Sequence, residues 1–289
     1  MKNFLATFFW DPPREAIVLP YSDIAIYWYS LFFGLGFLLA YFIIAKLLTS
    51  YAISKNNTLQ PIEVIKTEAH SIVDTLTWYI FFGMLIGARL GHVLFYDFDY
   101  YWQNPSEIFM TRHGGLASHG ATVGIFIGLF IFWKRNSKKV PFLSMRKLLD
   151  FLAIGSGLAG ACIRVGNFWN QEILGTKTSL PWGVQFGHPQ DLEATSACHP
   201  VQLYEAIFYL LVFLLLYCLE TKKEKKLQDG RIFGLFLTLV FTFRFFVEWL
   251  KLPQEAYGTE HLLQMGQLLS VPFIVFGLYF LLKKQDTTC

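Results

Sequence analysis

The sequence predicts an all-α integral membrane protein with seven transmembrane helices, the N-terminus outside, the C-terminus cytoplasmic, and a small extracytoplasmic cap between helices four and five. Three observations carry that reading. Of 289 residues, 54% are apolar and only 16% charged, whereas a soluble surface takes roughly a quarter charged. The apolar residues gather in seven tracts close to the ~20 residues a helix needs to cross a ~30 Å hydrocarbon core. The segments between tracts are alternately poor and rich in Lys and Arg, the pattern that places basic loops inside.

The spans read as 24–45, 75–96, 116–133, 148–163, 201–219, 232–250 and 262–282 of a single polytopic domain over 1–289. The first and last hold no charge; the fourth is short, Gly-rich and carries Asp150 near its start. With the N-terminus outside, sixteen of the 24 Lys and Arg fall on inner segments: Lys46, Lys55 and Lys66, six from Lys134 to Lys147, five from Lys222 to Arg231, and Lys283 and Lys284. A membrane barrel is excluded, because its ten-residue alternating segments are missing. Residues 164–200 are too long for a plain connection, and Trp169, Trp182 and Phe186 predict an ordered cap or interfacial arm. The apolar run 4–10 ends at Asp11, Pro12 and Pro13, too short for a cleaved signal peptide.

Several function classes fall away. A dispersed net charge of +3 gives no basic face for nucleic acid. Cys162, Cys198, Cys218 and Cys289 form neither a disulfide framework nor a zinc spacing, and no metal or cofactor is expected. Gly155, Gly157 and Gly160 fit a dinucleotide fingerprint, but within an apolar tract and with no strand before them. Gly83, Gly87 and Gly91, like Gly120, Gly124 and Gly128, recur every four residues and predict seams where helix backbones pack closely.

Charges kept inside spans cost roughly 2.5–3.5 kcal/mol each on insertion scales and so point to function. They are Arg89 and His92 in the second span, His119 opening the third, Arg164 closing the fourth, Glu205 opening the fifth, and Arg244 with Glu248 in the sixth. In the orientation above, Tyr29, His119, Arg164, Asn167, Glu172, His199, Glu205, Arg244 and Glu248 all lie toward the outer face. Two plainer readings stand beside this one. Charges near helix ends can snorkel to water, and Arg244 and Glu248 are spaced i, i+4 to pair with each other. An arginine fork also suits phosphate or carboxylate, so two arginines at the outer leaflet predict an anionic headgroup as ligand.

Four runs together resemble one family. They are His113-Gly-Gly-Leu-Ala-Ser-His119-Gly, Arg164-Val-Gly-Asn167-Phe-Trp-Asn170-Gln-Glu172 with Gly175 following, His199-Pro-Val-Gln-Leu-Tyr-Glu205, and Arg244-Phe-Phe-Val-Glu248. With Tyr27-Trp28-Tyr29 before and Met265-Gly-Gln267-Leu-Leu-Ser270 after, nearly the whole chain is similar to the prolipoprotein diacylglyceryl transferases. The resemblance implies a bacterial inner-membrane enzyme. It would move the diacylglyceryl group of phosphatidylglycerol onto the thiol of a prolipoprotein's lipobox cysteine, within the signal peptide, and release glycerol phosphate. It implies His119, Arg164 and Arg244 as catalytic positions, and Arg164, Tyr29, Asn167, Glu172, Gly175, His199, Glu205 and Glu248 as substrate-binding ones. Ala121, Ile163 and Phe241 depart from common family residues, and Phe241 lacks the hydroxyl of the tyrosine found in some members.

The chemistry sets two tasks. The thiolate, not the thiol, is the nucleophile, and histidine is the side chain suited to take a proton near neutral pH, so His119 is the expected base. Charge gathers on the leaving phosphate, where Arg164 and Arg244 are expected to clamp oxygens, with Asn167, Glu172 and Tyr29 orienting these groups or the glycerol hydroxyls. Two arginines near the thiol could also lower its pKa enough to need no base. A transporter would show repeats and a two-sided polar path, which this one-sided cluster lacks. A transferase using another phospholipid would call on the same arginines.

Overall fold

A computed structural model describes residues 8–20, 25–55, 60–110, 114–189, 196–222, 227–252 and 263–283. Lys2, Ile24, Arg112, His113, Lys223, Lys225, Lys226, Leu262, Lys284 and Cys289, with 4–7 of the N-terminal run and 190–195 of the cap, lie outside the described residues. The chain is mostly helical: α1 (Trp28–Lys55), α2 (Ile62–Phe95), α3 (Phe98–Gln103), α4 (Ser118–Asn136), α5 (Met145–Trp169), α6 (Val201–Thr221), α7 (Arg231–Val247) and α8 (Met265–Leu282). Among the described residues four short strands qualify the all-α expectation: β1 (Phe8–Trp10), β2 (Glu15–Val18), β3 (Ala25–Tyr27) and β4 (Val184–Phe186).

Among the described residues six helices are long and apolar enough to cross a membrane: α1, α2, α5, α6, α8, and α7 with the 3-10 turn that follows it. The protein is a multi-pass membrane protein. The seventh expected span, 116–133, is helical as α4, but His119 at one end and Lys134 and Arg135 at the other shorten its apolar stretch and leave it outside that set. Other boundaries shift as well. Residues 25–27 of the first span are strand β3, paired with β2, and α1 begins only at Trp28. Helix α2 starts well before residue 75, because backbone hydrogen bonding does not stop where the apolar tract does; its exposed first turns carry a Lys66–Glu63 pair at 2.9 Å.

The chain divides into two compact units, Ile44–Leu148 and the remainder. In the first, α2 and α4 lie backbone to backbone along the two glycine rows read from the sequence. A Cβ on Gly124 would strike the Gly83 carbonyl, and one on Gly87 the Gly120 carbonyl. Arg89 (6% exposed) closes the same unit. Its guanidinium donates to the carbonyls of Glu107, Ile108, Met110, Gly114 and Gly115 at 2.7–3.1 Å and lies 4.9 Å from the Tyr101 ring centroid. This buried charge is a staple for a loop, which satisfies all its donors.

In the second unit, Asp150 explains itself. It is buried in α5 and accepts from the backbone N–H of Gly230 and Phe233, both at 2.8 Å, so it caps α7, whose own N-cap is a left-handed glycine (φ 91) with no side chain to do so. Helix α5 runs to Trp169, six residues past the expected end of the span, since the last turn keeps its ladder with Asn170 N–H donating to Gly166 at 2.9 Å. Arg164 and Asn167 are therefore helical, and the connecting segment begins after them. Beyond α5 the described part of that segment is ordered. Strand β4 pairs in parallel with β1, and Cys198 bridges Val184 in both directions. Phe168, Leu174, Val184, Phe186 and Cys198 form a small core against Trp10, Leu203 and Leu252. The N-terminal apolar run is thus in part a strand of this lobe.

Candidate functional site

The lobe and the ends of α5, α6 and α7 hold most of the polar residues picked out from the sequence. On α5, Arg164 and Asn167 share a face at i, i+3, and Arg164 Nη1 donates to Asn167 Oδ1 at 3.1 Å. An arginine only donates and a carboxylate only accepts, so Asn167 can bridge the two. Its Nδ2 donates to Glu172 Oε2 at 3.1 Å, while Asn170 Nδ2 donates to Oε1 at 2.9 Å. The turn that carries Glu172 is strained. Gln171 (φ 57) and Ile173 (φ 56) are both left-handed, a region that β-branched residues avoid. Buried Gln202 holds the turn from α6 by donating to the Glu172 carbonyl at 2.6 Å. Tyr29, in the first turn of α1, receives its place from Asn170, whose Oδ1 accepts the Tyr29 N–H at 3.2 Å.

Glu205, fully buried on α6, is the centre of a second layer. Its Oε2 faces Arg164 Nε at 3.0 Å, a charge contact without hydrogen-bond alignment, since Oε2 accepts no hydrogen bond among the described residues. Its Oε1 accepts from Lys251 Nζ at 2.9 Å and from the Tyr209 hydroxyl at 3.4 Å. Lys251 also pairs with Glu248 at 3.4 Å. The Glu248 carboxylate lies on the first turn of α8, where any side chain at Gly266 would collide with it and where the helix dipole favours a negative charge. The i, i+4 pair expected between Arg244 and Glu248 is not formed, because the α-helix gives way to a 3-10 turn at Glu248 and the carboxylate turns to Lys251. Among the described residues Arg244 makes neither a hydrogen bond nor an ion pair, although its charge is felt at Glu205 and Lys251. Gln267 steadies this helix end by donating to the Phe245 carbonyl at 3.1 Å.

Gly175 and His199 meet in the lobe. A Cβ on Gly175 would strike the His199 carbonyl, and Gly175 bridges Lys251. His199 Nδ1 lies 3.3 Å from the Tyr204 hydroxyl, which accepts from Trp182 Nε1 at 2.8 Å. Cys198 belongs to the lobe core, and burial pushes its thiol up, away from the reactive thiolate. Phe241 stacks on Phe273 at 4.3 Å, so the position that lacks a hydroxyl packs α7 on α8.

His119 belongs to the other unit. It is exposed at the start of α4, edge-on to Phe95 at 5.4 Å and beside Tyr96 at 5.8 Å. It closes one end of an apolar groove of about 800 Å³ between α2 and α4, walled by Trp78, Phe82, Ile86, Leu90, Val123 and Ile127. His92 is used locally, with Nε2 2.9 Å from Asp97. Lys251, Gln202, Asn170 and Tyr209 were missed as site residues. Only Lys251 left a sequence signal, three residues after Glu248 and just past the end of a span.

The family model described as prolipoprotein diacylglyceryl transferase matches residues 16–283. The chain belongs to this family. It is similar to three proteins named phosphatidylglycerol–prolipoprotein diacylglyceryl transferase: at 34% identity to that of Protochlamydia amoebophila, over 99% of this chain and 97% of the relative, at 40% to that of Tolumonas auensis, over 95% and 96%, and at 37% to that of Chlamydia pneumoniae, over 96% of each. The diacylglyceryl transferase match takes in Tyr29, His119, the Arg164–Glu172 turn, Glu205, Arg244 and Lys251. Both the buried network and the histidine at the groove therefore lie within the matched range.

Proposed function

We propose that this protein transfers the diacylglyceryl group of phosphatidylglycerol to the thiol of a prolipoprotein's lipobox cysteine, in a bacterial inner membrane and on its outer side. The relatives' names supply the donor and the acceptor. The observation that carries the reading is the Arg164–Arg244 pair. Arg164 is oriented by Asn167 and Glu205, while Arg244 has no ion-pair partner among the described residues and is free to take an anion. Arg244 is half-buried, and a planar fork of donors in that setting suits a phosphate.

In this reading the thiol sulfur attacks the glycerol carbon that bears the phosphate. An S–C bond forms, the C–O bond breaks, and glycerol phosphate leaves with the bonding electrons. Arg164 and Arg244 stabilise the charge gathering on that phosphate, and His119 takes the thiol proton. Asn167, Glu172 and Tyr29 hold Arg164 and the glycerol hydroxyls, Glu205 and Glu248 set the charge balance around the arginines, and Gly175 with His199 lets the lobe approach. The apolar groove that ends at His119 suits an acyl chain. Helix α4 is the seventh span, the N-terminus is outside and the C-terminus cytoplasmic, and the lobe between α5 and α6 is the extracytoplasmic cap.

The test incubates purified protein with vesicles of labelled phosphatidylglycerol and a lipobox peptide. Labelled diacylglyceryl on the cysteine thiol is expected, with strong loss in His119→Gln. An unlabelled peptide, or solute uptake by the vesicles instead, contradicts the reading; near-normal transfer by His119→Gln removes the histidine as base and leaves thiolate formation to the arginines.

A further inference from the structure

Lys251 is not a residue that phosphate chemistry alone would single out, yet it is the most committed cation of the cluster. Its side chain is 5% exposed and spans two carboxylates, Glu205 at 2.9 Å and Glu248 at 3.4 Å. Its backbone is fixed on both sides. The Leu250 carbonyl accepts from Thr176 N–H at 2.8 Å, and Leu252 N–H donates to the Leu174 carbonyl at 2.9 Å. The ammonium therefore cannot leave by a loop movement without breaking the lobe's hydrogen bonds. Arg244, seven residues earlier, is spaced i, i+4 from Glu248, and its charge acts on Glu205. Glu205 already gives its second oxygen to Arg164 at 3.0 Å, whereas Glu248 has no ion-pair partner besides Lys251 among the described residues, so a freed Glu248 has capacity for a guanidinium.

Resting on the functional reading above, we propose that Lys251 is a positioning residue: by engaging Glu205 and Glu248 together it keeps both carboxylates from capturing Arg244, and so leaves that guanidinium open to the phosphate of the lipid donor. Without the ammonium, Glu248 would turn back to Arg244 and compete with the substrate. An anion competitor built into the protein raises the lipid concentration needed for half-saturation more than it slows the bound complex.

The experiment measures KM for phosphatidylglycerol and kcat separately, in mixed vesicles with a lipobox peptide, for the wild type, Lys251→Gln, Lys251→Arg and the double variant Lys251→Gln with Glu248→Gln. Lys251→Gln is expected to raise KM by roughly 10- to 100-fold, the range for a lost charged hydrogen bond, with a smaller change in kcat. The double variant should recover much of that KM, because the freed carboxylate is gone, and Lys251→Arg should stay near wild type. An unchanged KM in Lys251→Gln, or an equal loss in the single and double variants, overturns the proposal. If Lys251→Gln does not fold, Lys251→Arg decides, since a folded Arg variant with KM raised tenfold contradicts it. A wild-type protein that transfers no lipid defeats the functional reading itself, whereas transfer by the wild type with unchanged KM in Lys251→Gln defeats this inference alone.

Discussion

Ile173 sits in the left-handed region at φ 56, two residues after Gln171 at φ 57, and each such placement costs about 1–2 kcal/mol. The strain fixes the one residue between them, Glu172, whose two oxygens are filled by Asn167 and Asn170 rather than by a cation. Glu172 is linked to Arg164 through Asn167. Replacing Asn167 by Ala should therefore leave a folded protein whose transfer rate falls by about tenfold or more, the worth of a hydrogen bond to a charged group; unchanged rate with unchanged thermal unfolding would show that the relay carries no weight. At this scale the sequence was readable where a charge stood in an apolar setting, as with Arg164, Glu205 and Arg244. It misled at Arg89, whose five backbone acceptors come from a loop some 20 residues away. It did not single out Gln202 and Asn170, which are uncharged, and at Lys251 it left only a lysine three residues past Glu248, beyond a helix end.

Among the elements, helices were legible because their apolar length is a local property, and the glycine rows of α2 and α4 because a four-residue period is one too. Strands β1 and β4 pair across more than 170 residues of sequence, which no local pattern announces. The same non-local logic governs Asp150. It looks like a flaw in the fourth span, but it caps another helix by accepting two backbone N–H groups that α7 cannot satisfy itself. Asp150→Ala leaves those buried donors without a partner, so it should destabilise the protein by about 1–3 kcal/mol, read as a lower thermal unfolding midpoint in detergent. A midpoint equal to that of the wild type would mean that the cap contributes nothing.

For the molecule as a whole, scarcity of charge is the organising fact. Most Lys and Arg lie in segments assigned to the inner side, where they fix orientation, and few ionised groups remain for other work. Three cations, Arg164, Arg244 and Lys251, and three carboxylates, Glu172, Glu205 and Glu248, stand in one polar cluster of the larger unit, and only Arg244 among the cations lacks an ion-pair partner among the described residues. The measurement that bears most directly on this account compares the rate of diacylglyceryl transfer from phosphatidylglycerol to a lipobox peptide for wild type, Arg244→Gln, Arg164→Gln and Lys66→Gln, the last removing a half-exposed cation in the first turns of α2. The two arginine variants should lose about 10²–10³-fold, as when a donor to developing charge is removed, while Lys66→Gln keeps the wild-type rate. Transfer by Arg244→Gln at the wild-type rate would contradict the account.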